Sequence, residues 1–370
     1  MEEIPANKKI SRYIQKKQSI EMISIIPIFL PQQSCPHHCI FCNQKAAVGE
    51  VQQLSCSDIK KDIESALKTI SEDSVIQVGF YGGSFTLLPV ELQKAYLDVS
   101  APFIKAGRIS GIRISTRPDA IDKESVVFLK DHKVTTVELG VEILDDEILS
   151  LIKRGHNCED VAKAVDLLKP AGVKTGLQLM IGLPGEDEER RRKSFEKVLS
   201  LRPDFLRIHP TVVLKGSGLE KMYKEGAFIP MELEEAVKVC ADMVCSSESI
   251  GIPVIRIGLQ SSLELQKEGS IIAGPWHPSF GQMVRSEIYY RLAAAGIKIM
   301  KQKQFSVEEI TAECSDAETF NGQKNSNITR LKNKFPGIVV KTKKNKSILK
   351  NQLSLTGSDG KSILVSIADL

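Results

Sequence analysis

Between residues 57 and 212, short apolar runs alternate with amphipathic stretches of helical period, and this alternation restricts the chain more than any other feature. Residues 57–70 carry Ile59, Ile63, Leu67 and Ile70 at spacings of four, four and three, the stripe of a helix with Ser57 as candidate cap. The apolar run 75–80 then reads as a buried strand. The two patterns recur, with helices expected near 90–98, 122–130, 159–169 and 186–200 and further strands at 22–29, 111–115, 134–141, 173–181 and 205–212. Strands joined through helices pair in parallel with right-handed crossovers. The expected fold class is therefore α/β: a six-stranded, partial (βα)6 TIM-like barrel with an open side, its functional groups gathered at the carboxyl ends of the strands.

The first strand runs into LPQQSCPHHCIFCNQ, which spaces Cys35, Cys39 and Cys42 as C-x3-C-x2-C. Three thiolates on one short loop can hold three corners of a cubane iron-sulfur cluster and leave the fourth iron open to an exogenous ligand. Cys56 lies fourteen residues further on, in a helical segment, and Cys158, Cys240, Cys245 and Cys314 show no metal spacing. The alternative is structural zinc completed by His37 or His38, but such sites normally pair two ligand knuckles and no second knuckle follows.

With Phe41 before its last cysteine, this loop resembles the signature of the radical S-adenosylmethionine (SAM) superfamily. That resemblance implies a [4Fe-4S] cluster on Cys35, Cys39 and Cys42, with SAM cleaved to a 5'-deoxyadenosyl radical. FYGGSF, with Gly82 and Gly83, resembles the glycine motif that receives the SAM amino group, Ser84 standing where an acidic residue is usual. Ser115 and Arg117 in ISTRPD, and Glu142 in VELGVE, suit ribose and methionine recognition. Arg154 in KRGH is a candidate for the SAM carboxylate, because a guanidinium fork matches it bidentately. Gln178 is a second ribose candidate beside Glu142, within GLQLMIGLPG, which resembles the superfamily's fifth-strand motif. Gln178 has a core amide as its other reading, and His156 reads equally as a packing residue or a ligand.

Taken with LRIHPTVVLKGSGLEKMYKEGAF and VIRIGLQ, these motifs resemble the radical SAM domain of the Elongator catalytic subunit, which modifies wobble uridines in tRNA. The resemblance covers residues 22–285. It does not extend to that subunit's acetyltransferase domain, so acetyl-CoA chemistry is not carried over. Oxygen-independent coproporphyrinogen oxidases share the cysteine spacing and the GLPG strand end, which keeps a porphyrin-like or other small-molecule substrate as the alternative. A non-catalytic RNA-binding iron-sulfur protein is the alternative outside enzymes.

From residue 297 the chain turns small and basic. A strand is expected at 297–300, helices at 306–317 and 325–335, a strand at 338–343 and a last hairpin around Ser358-Asp359-Gly360. Gly322-Gln323-Lys324-Asn325 between the helices resembles the loop with which KH modules clamp single-stranded nucleic acid, Asn325 replacing the second glycine. Residues 321–358 hold nine Lys or Arg and no acid. The expected division is a basic lead-in over 1–21, in which KKISRYIQKK carries five Lys or Arg, a radical SAM barrel and its extension over 22–290, and a KH-like domain over 297–370.

A net charge of +4 puts any nucleic-acid footprint into local patches. Residues 23–30 are too short to span a bilayer and no signal peptide precedes them. Eight cysteines without a disulfide framework suit a reducing compartment. The expectation is a cytoplasmic enzyme without membrane contact, acting on RNA, with tRNA foremost, and supplied with electrons by a donor such as flavodoxin or ferredoxin.

Overall fold

The computed structural model describes residues 23–30, 39–43, 54–71, 73–259 and 263–370. Cys35, His37, His38, Gln260 and the basic lead-in lie outside the described residues.

Strand β1 (Ile23–Phe29) is followed by helix α1 (Cys56–Leu67), β2 (Val75–Tyr81), α2 (Val90–Asp98), β3 (Gly111–Thr116), α3 (Lys123–Asp131), β4 (Val134–Glu142), α4 (Cys158–Leu168), β5 (Lys174–Ile181), α5 (Glu188–Ser200) and β6 (Phe205–Pro210). The helices form where the apolar stripe said they would. In α1, Ile59 and Ile63 are fully buried against the sheet. Its cap is Ser55 rather than Ser57: the Ser55 hydroxyl accepts the Asp58 backbone N–H at 3.1 Å while the Asp58 carboxylate takes the Ser55 N–H at 3.3 Å. This reciprocal box starts the helix before Ser57.

The sheet has seven strands rather than six. After helix α6 (Leu233–Ser249), strand β7 (Val254–Ile257) joins β6, giving the parallel order β1-β2-β3-β4-β5-β6-β7. At four residues β7 was too short to stand out by periodicity. Residues of both edge strands, Ile25, Pro27 and Phe29 on β1 and Ile255 and Arg256 on β7, line one cavity. The sheet is therefore curled until its edges face each other across an opening that no ladder closes.

Helix α7 (Phe280–Gln302) then runs for 23 residues. Ile297 and Met300, expected in a strand, are its fully buried final turns. It packs on α6 and β7 on one side and on the C-terminal sheet on the other, so its apolar residues surround the helix and mask its period. The boundary expected between residues 290 and 297 falls inside this helix.

The C-terminal part continues with β8 (Glu309–Cys314), α8 (Ala317–Asn321), α9 (Ser326–Lys334), β9 (Val339–Lys344), β10 (Gln352–Gly357) and β11 (Ser362–Ser366). The helix expected over 306–317 is mostly β8. Ile310, Ala312 and Cys314 are buried and alternate with Glu309, Thr311 and Glu313, a period of two that favours the strand. The sheet order is β9-β8-β10-β11, with β8 and β9 parallel and β10-β11 the expected hairpin. The sequence β8-α8-loop-α9-β9 places Gly322–Asn325 between two short helices, as expected, with α8 only five residues long.

Candidate active site

The curl creates a cavity of about 590 Å3 at the carboxyl ends of the strands, lined by Cys39, Cys42, Gly82, Gly83, Ser84 and Glu142 among others. That size lies in the range of small-molecule sites.

The second half of the cysteine loop is held by backbone bonds from distant segments. Ile40 donates its N–H to the Ile152 carbonyl at 3.1 Å and accepts from Leu219 at 2.8 Å, and the Asn43 amide donates to the Lys215 carbonyl at 2.7 Å. A turn bond from the Cys42 N–H to the Cys39 carbonyl, 3.0 Å, brings both cysteines to the cavity wall. Where β1 ends, Leu30 donates to the Tyr81 carbonyl at 2.7 Å. Gly82 follows with φ +103°, and a Cβ there would stand 2.4 Å from the Leu30 carbonyl oxygen. Only glycine fits, and its backbone is left facing the cavity. Ser84 is buried next to it, where Phe85 packs on Phe80 at 5.4 Å.

Arg154 connects three parts of the wall. Its Nη2 donates to the Gly140 carbonyl at 2.7 Å and lies 3.3 Å from the Glu142 carboxylate, while Nη1 donates to the Cys39 sulfur at 3.6 Å. A Cβ on Gly140 would stand 2.5 Å from Arg154 Nη2, so a side chain on this strand position would evict the guanidinium. Left-handed residues on either side, Lys153 at φ +54° and Gly155 at φ +77°, turn Arg154 inward.

Glu142 is buried and itself left-handed, at φ +66°, where β4 bulges against β5. A non-glycine residue held there is over-determined by its surroundings, a feature concentrated at functional sites. Burial pushes its carboxyl above the usual range, opposed by Arg154 and the Gln178 amide. Its Oε2 is buried without a hydrogen-bond partner.

Arg117 differs from the expectation of a ligand contact. Its guanidinium is buried and held in a fork by Asp119, at 2.9 Å twice, while Nη1 donates to the Arg154 carbonyl at 2.6 Å. It positions Arg154 and keeps little capacity for a ligand. Ser115 and Gln178 line the cavity directly. His156 is buried outside that lining with both ring nitrogens unpartnered, and burial, then Arg154 and Arg117, lower its pKa to about 3. The structure favours its packing role.

A group missed in the sequence fills the cavity's interior. Glu138 accepts from Arg113 Nη1 at 2.7 Å, from Arg207 Nη1 and from the Tyr81 hydroxyl at 3.4 Å, and Arg256 sits beside Arg207 in the β6-β7 register. The available signal was a charge in the middle of strands that are otherwise apolar and covered on one face by helices. Such a charge requires a polar lumen.

A half-barrel with this cysteine loop, glycine turn and buried carboxylate-guanidinium wall is that of a radical SAM enzyme, and the chain belongs to the radical SAM superfamily. Residues 29–198 match the Radical SAM superfamily model and residues 203–290 the Radical_SAM C-terminal domain. Among curated relatives, a tRNA uridine(34) acetyltransferase of Methanocaldococcus jannaschii is 30% identical over 275 residues, 63% of this chain and 51% of that protein. One of Dehalococcoides mccartyi is 29% identical over 285 residues, covering 68% and 60%. The chain thus spans about half the length of the curated relatives it matches. A solved structure of archaeal Methanocaldococcus infernus Elp3 with an N-terminal deletion superposes with a TM-score of 0.55 at 25% identity, over 77% of this chain and 64% of that one.

The enzyme's cofactors are a [4Fe-4S] cluster and SAM, and the residues present fit them. Cys39 and Cys42 line the cavity, Gly82 and Gly83 bring bare backbone to its wall, and Glu142 carries a buried unpartnered oxygen. When bound, the two groups supply one-electron reductive cleavage and a carbon radical that abstracts hydrogen. Among the described residues, no helix is long and apolar enough to cross a membrane.

Proposed function

We propose that this chain is a cytoplasmic radical SAM enzyme that modifies RNA, with tRNA the foremost substrate and a flavodoxin or ferredoxin as electron donor. The observation that carries the reading is similarity to tRNA uridine(34) acetyltransferases over 63 to 68% of the chain. The proposal concerns the radical step on RNA and not acetyl transfer. Cys35, Cys39 and Cys42 hold the cluster. Gly82, Gly83 and Ser84 receive the SAM amino group, Arg154 its carboxylate, and Glu142, Gln178 and Ser115 its ribose and methionine portions, while Arg117 braces Arg154.

The C-terminal part supports RNA contact through Gly322–Asn325 and neighbouring lysines. Gly322 at φ +74° packs against Ser286 of α7, while Lys324 and Asn325, both left-handed, are exposed. The basic face is smaller than its sequence count: Lys341 pairs with Glu309 at 2.7 Å, Lys343 with Glu313 at 3.1 Å and Arg330 with Glu287 at 2.7 Å. Lys324, Lys332, Lys334, Lys344 and Lys346 remain exposed and outside any salt bridge among the described residues, Lys344 having Asp316 nearby.

The test is 5'-deoxyadenosine formation by anaerobically reconstituted, reduced protein with total tRNA, with coproporphyrinogen and with neither. Stimulation by tRNA is expected. Stimulation by the tetrapyrrole alone would replace RNA with a small-molecule substrate.

A further inference from the structure

Four arginines and two glutamates line the cavity, and their pairing leaves one cation over. Arg117 is held by Asp119, Arg154 lies against Glu142, and Arg207 shares Glu138 with Arg113 behind it. Arg256 has no hydrogen-bond or ion-pair partner among the described residues, and its Nε is buried from water. Its neighbour across the β6-β7 ladder is another arginine, Arg207, whose Nε is likewise buried and unpartnered. Desolvation and the Arg207 charge both act to depress the Arg256 pKa.

Two adjacent guanidinium groups, one on a carboxylate already shared with a third arginine and the other on none, are unfavourable in a partly desolvated wall unless an anion joins them. The SAM carboxylate is not the natural occupant. Arg154, already beside Cys39 and Glu142, is set at β4, whereas Arg256 is on the edge strand β7, with β5 and β6 between them. That edge borders the open side. Facing it on β1 are Pro27 and Phe29, and Phe29 lies against Tyr81 with ring centroids 6.1 Å apart. The opening thus sets an aromatic pair beside the cationic one, with the Arg207 guanidinium 5.7 Å from the Tyr81 ring centroid.

We propose that Arg256 and Arg207 form an oxyanion subsite that receives an anionic group of the substrate entering through the open side, its planar portion resting against Phe29 and Tyr81. A phosphate or a carboxylate would be held by the same forked donors. The inference rests on the reading of the cavity as the radical site. Within the RNA reading, the occupant is a nucleotide phosphate and the planar portion is its base.

The test is anaerobic calorimetry on the reconstituted, SAM-loaded full chain with three probes: uridine 5'-monophosphate, uridine and acetate. Parent protein is expected to bind the monophosphate at least about tenfold more tightly than uridine, as one charge-assisted contact implies. Arg256→Gln should lose that preference, and Arg256→Lys should keep part of it. If acetate binds the parent and not Arg256→Gln, while the monophosphate is no better than uridine, the subsite stands and its anion is a carboxylate. Equal binding in parent and Arg256→Gln, or no binding of either anion, overturns the proposal. So does a fall in SAM affinity in Arg256→Gln as large as that in Arg154→Ala, which would place Arg256 on the cofactor. Formation of 5'-deoxyadenosine by the parent is read separately, so its failure would remove the radical reading while leaving the anion result interpretable.

Discussion

The Arg154 guanidinium lies 3.3 Å from the Glu142 carboxylate, both side chains being nearly excluded from solvent. Neither charge is stable there alone, because removal of one partner leaves the other buried and uncompensated. Arg154→Ala is therefore expected to weaken SAM binding by roughly 2 to 5 kcal/mol. Since Arg154 also donates to the Cys39 sulfur, the same change should alter the reduction potential of the cluster without removing it. Calorimetry with SAM under anaerobic conditions checks the first outcome and a redox titration the second. Unchanged SAM affinity would count against the carboxylate role.

Anaerobic reconstitution should yield about four iron and four sulfide per chain, and replacement of Cys35, Cys39 or Cys42 by Ala should abolish the cluster. Cys39 and Cys42 already meet at one wall of the cavity. Stoichiometric zinc without visible charge-transfer absorbance would overturn the assignment.

Binding of tRNA should weaken with salt. The five lysines of the C-terminal part outside any salt bridge among the described residues would contribute about 3.5 to its slope on a logarithmic plot, at about 0.7 per neutralised phosphate of a single strand. Replacing Gly322 and Lys324 together by Asp should remove much of this binding while the cluster absorbance persists. An anisotropy titration of total tRNA across a salt series measures both. A double mutant that binds like the parent would remove the loop from the RNA surface.

Acid should destabilise the protein partly through His156. Its pKa is about 3 in the fold against 6.5 for a free side chain, so the unfolded chain binds a proton first as pH falls. The stability contributed by the neutral ring is complete above pH 6.5 and declines as pH falls towards 3. Urea midpoints at pH 7.5 and pH 5 should differ less in His156→Leu than in the parent. Part of the dependence should remain, because buried His209 is also held neutral. Identical pH dependence in the two proteins would sink the assignment.

Much of the half-barrel was legible because helix and strand periods and the cysteine spacing are local properties of the chain. The same locality explains the errors. The last turns of α7 looked like a strand because the helix is buried on two sides, and β8 looked helical because its alternation is short. The site residues expected at strand ends line one cavity, yet their partners were not readable. Arg154 meets a sulfur 115 positions away, and Glu138 meets Arg207 across 69. Glu309 and Glu313, outside the acid-free stretch, neutralise two of its lysines across a strand pair.

The sequence alone determined the order of the first six strands and the helices between them, the cysteine spacing and the glycine turn after β2, since dihedral preference and side-chain period act over a few residues. Only the tertiary structure decided that Arg117 is a brace, that Arg256 is left without a carboxylate and that the two sheet edges share one cavity. Charge pairing and burial depend on distances through space, and those exist only once the sheet has curled.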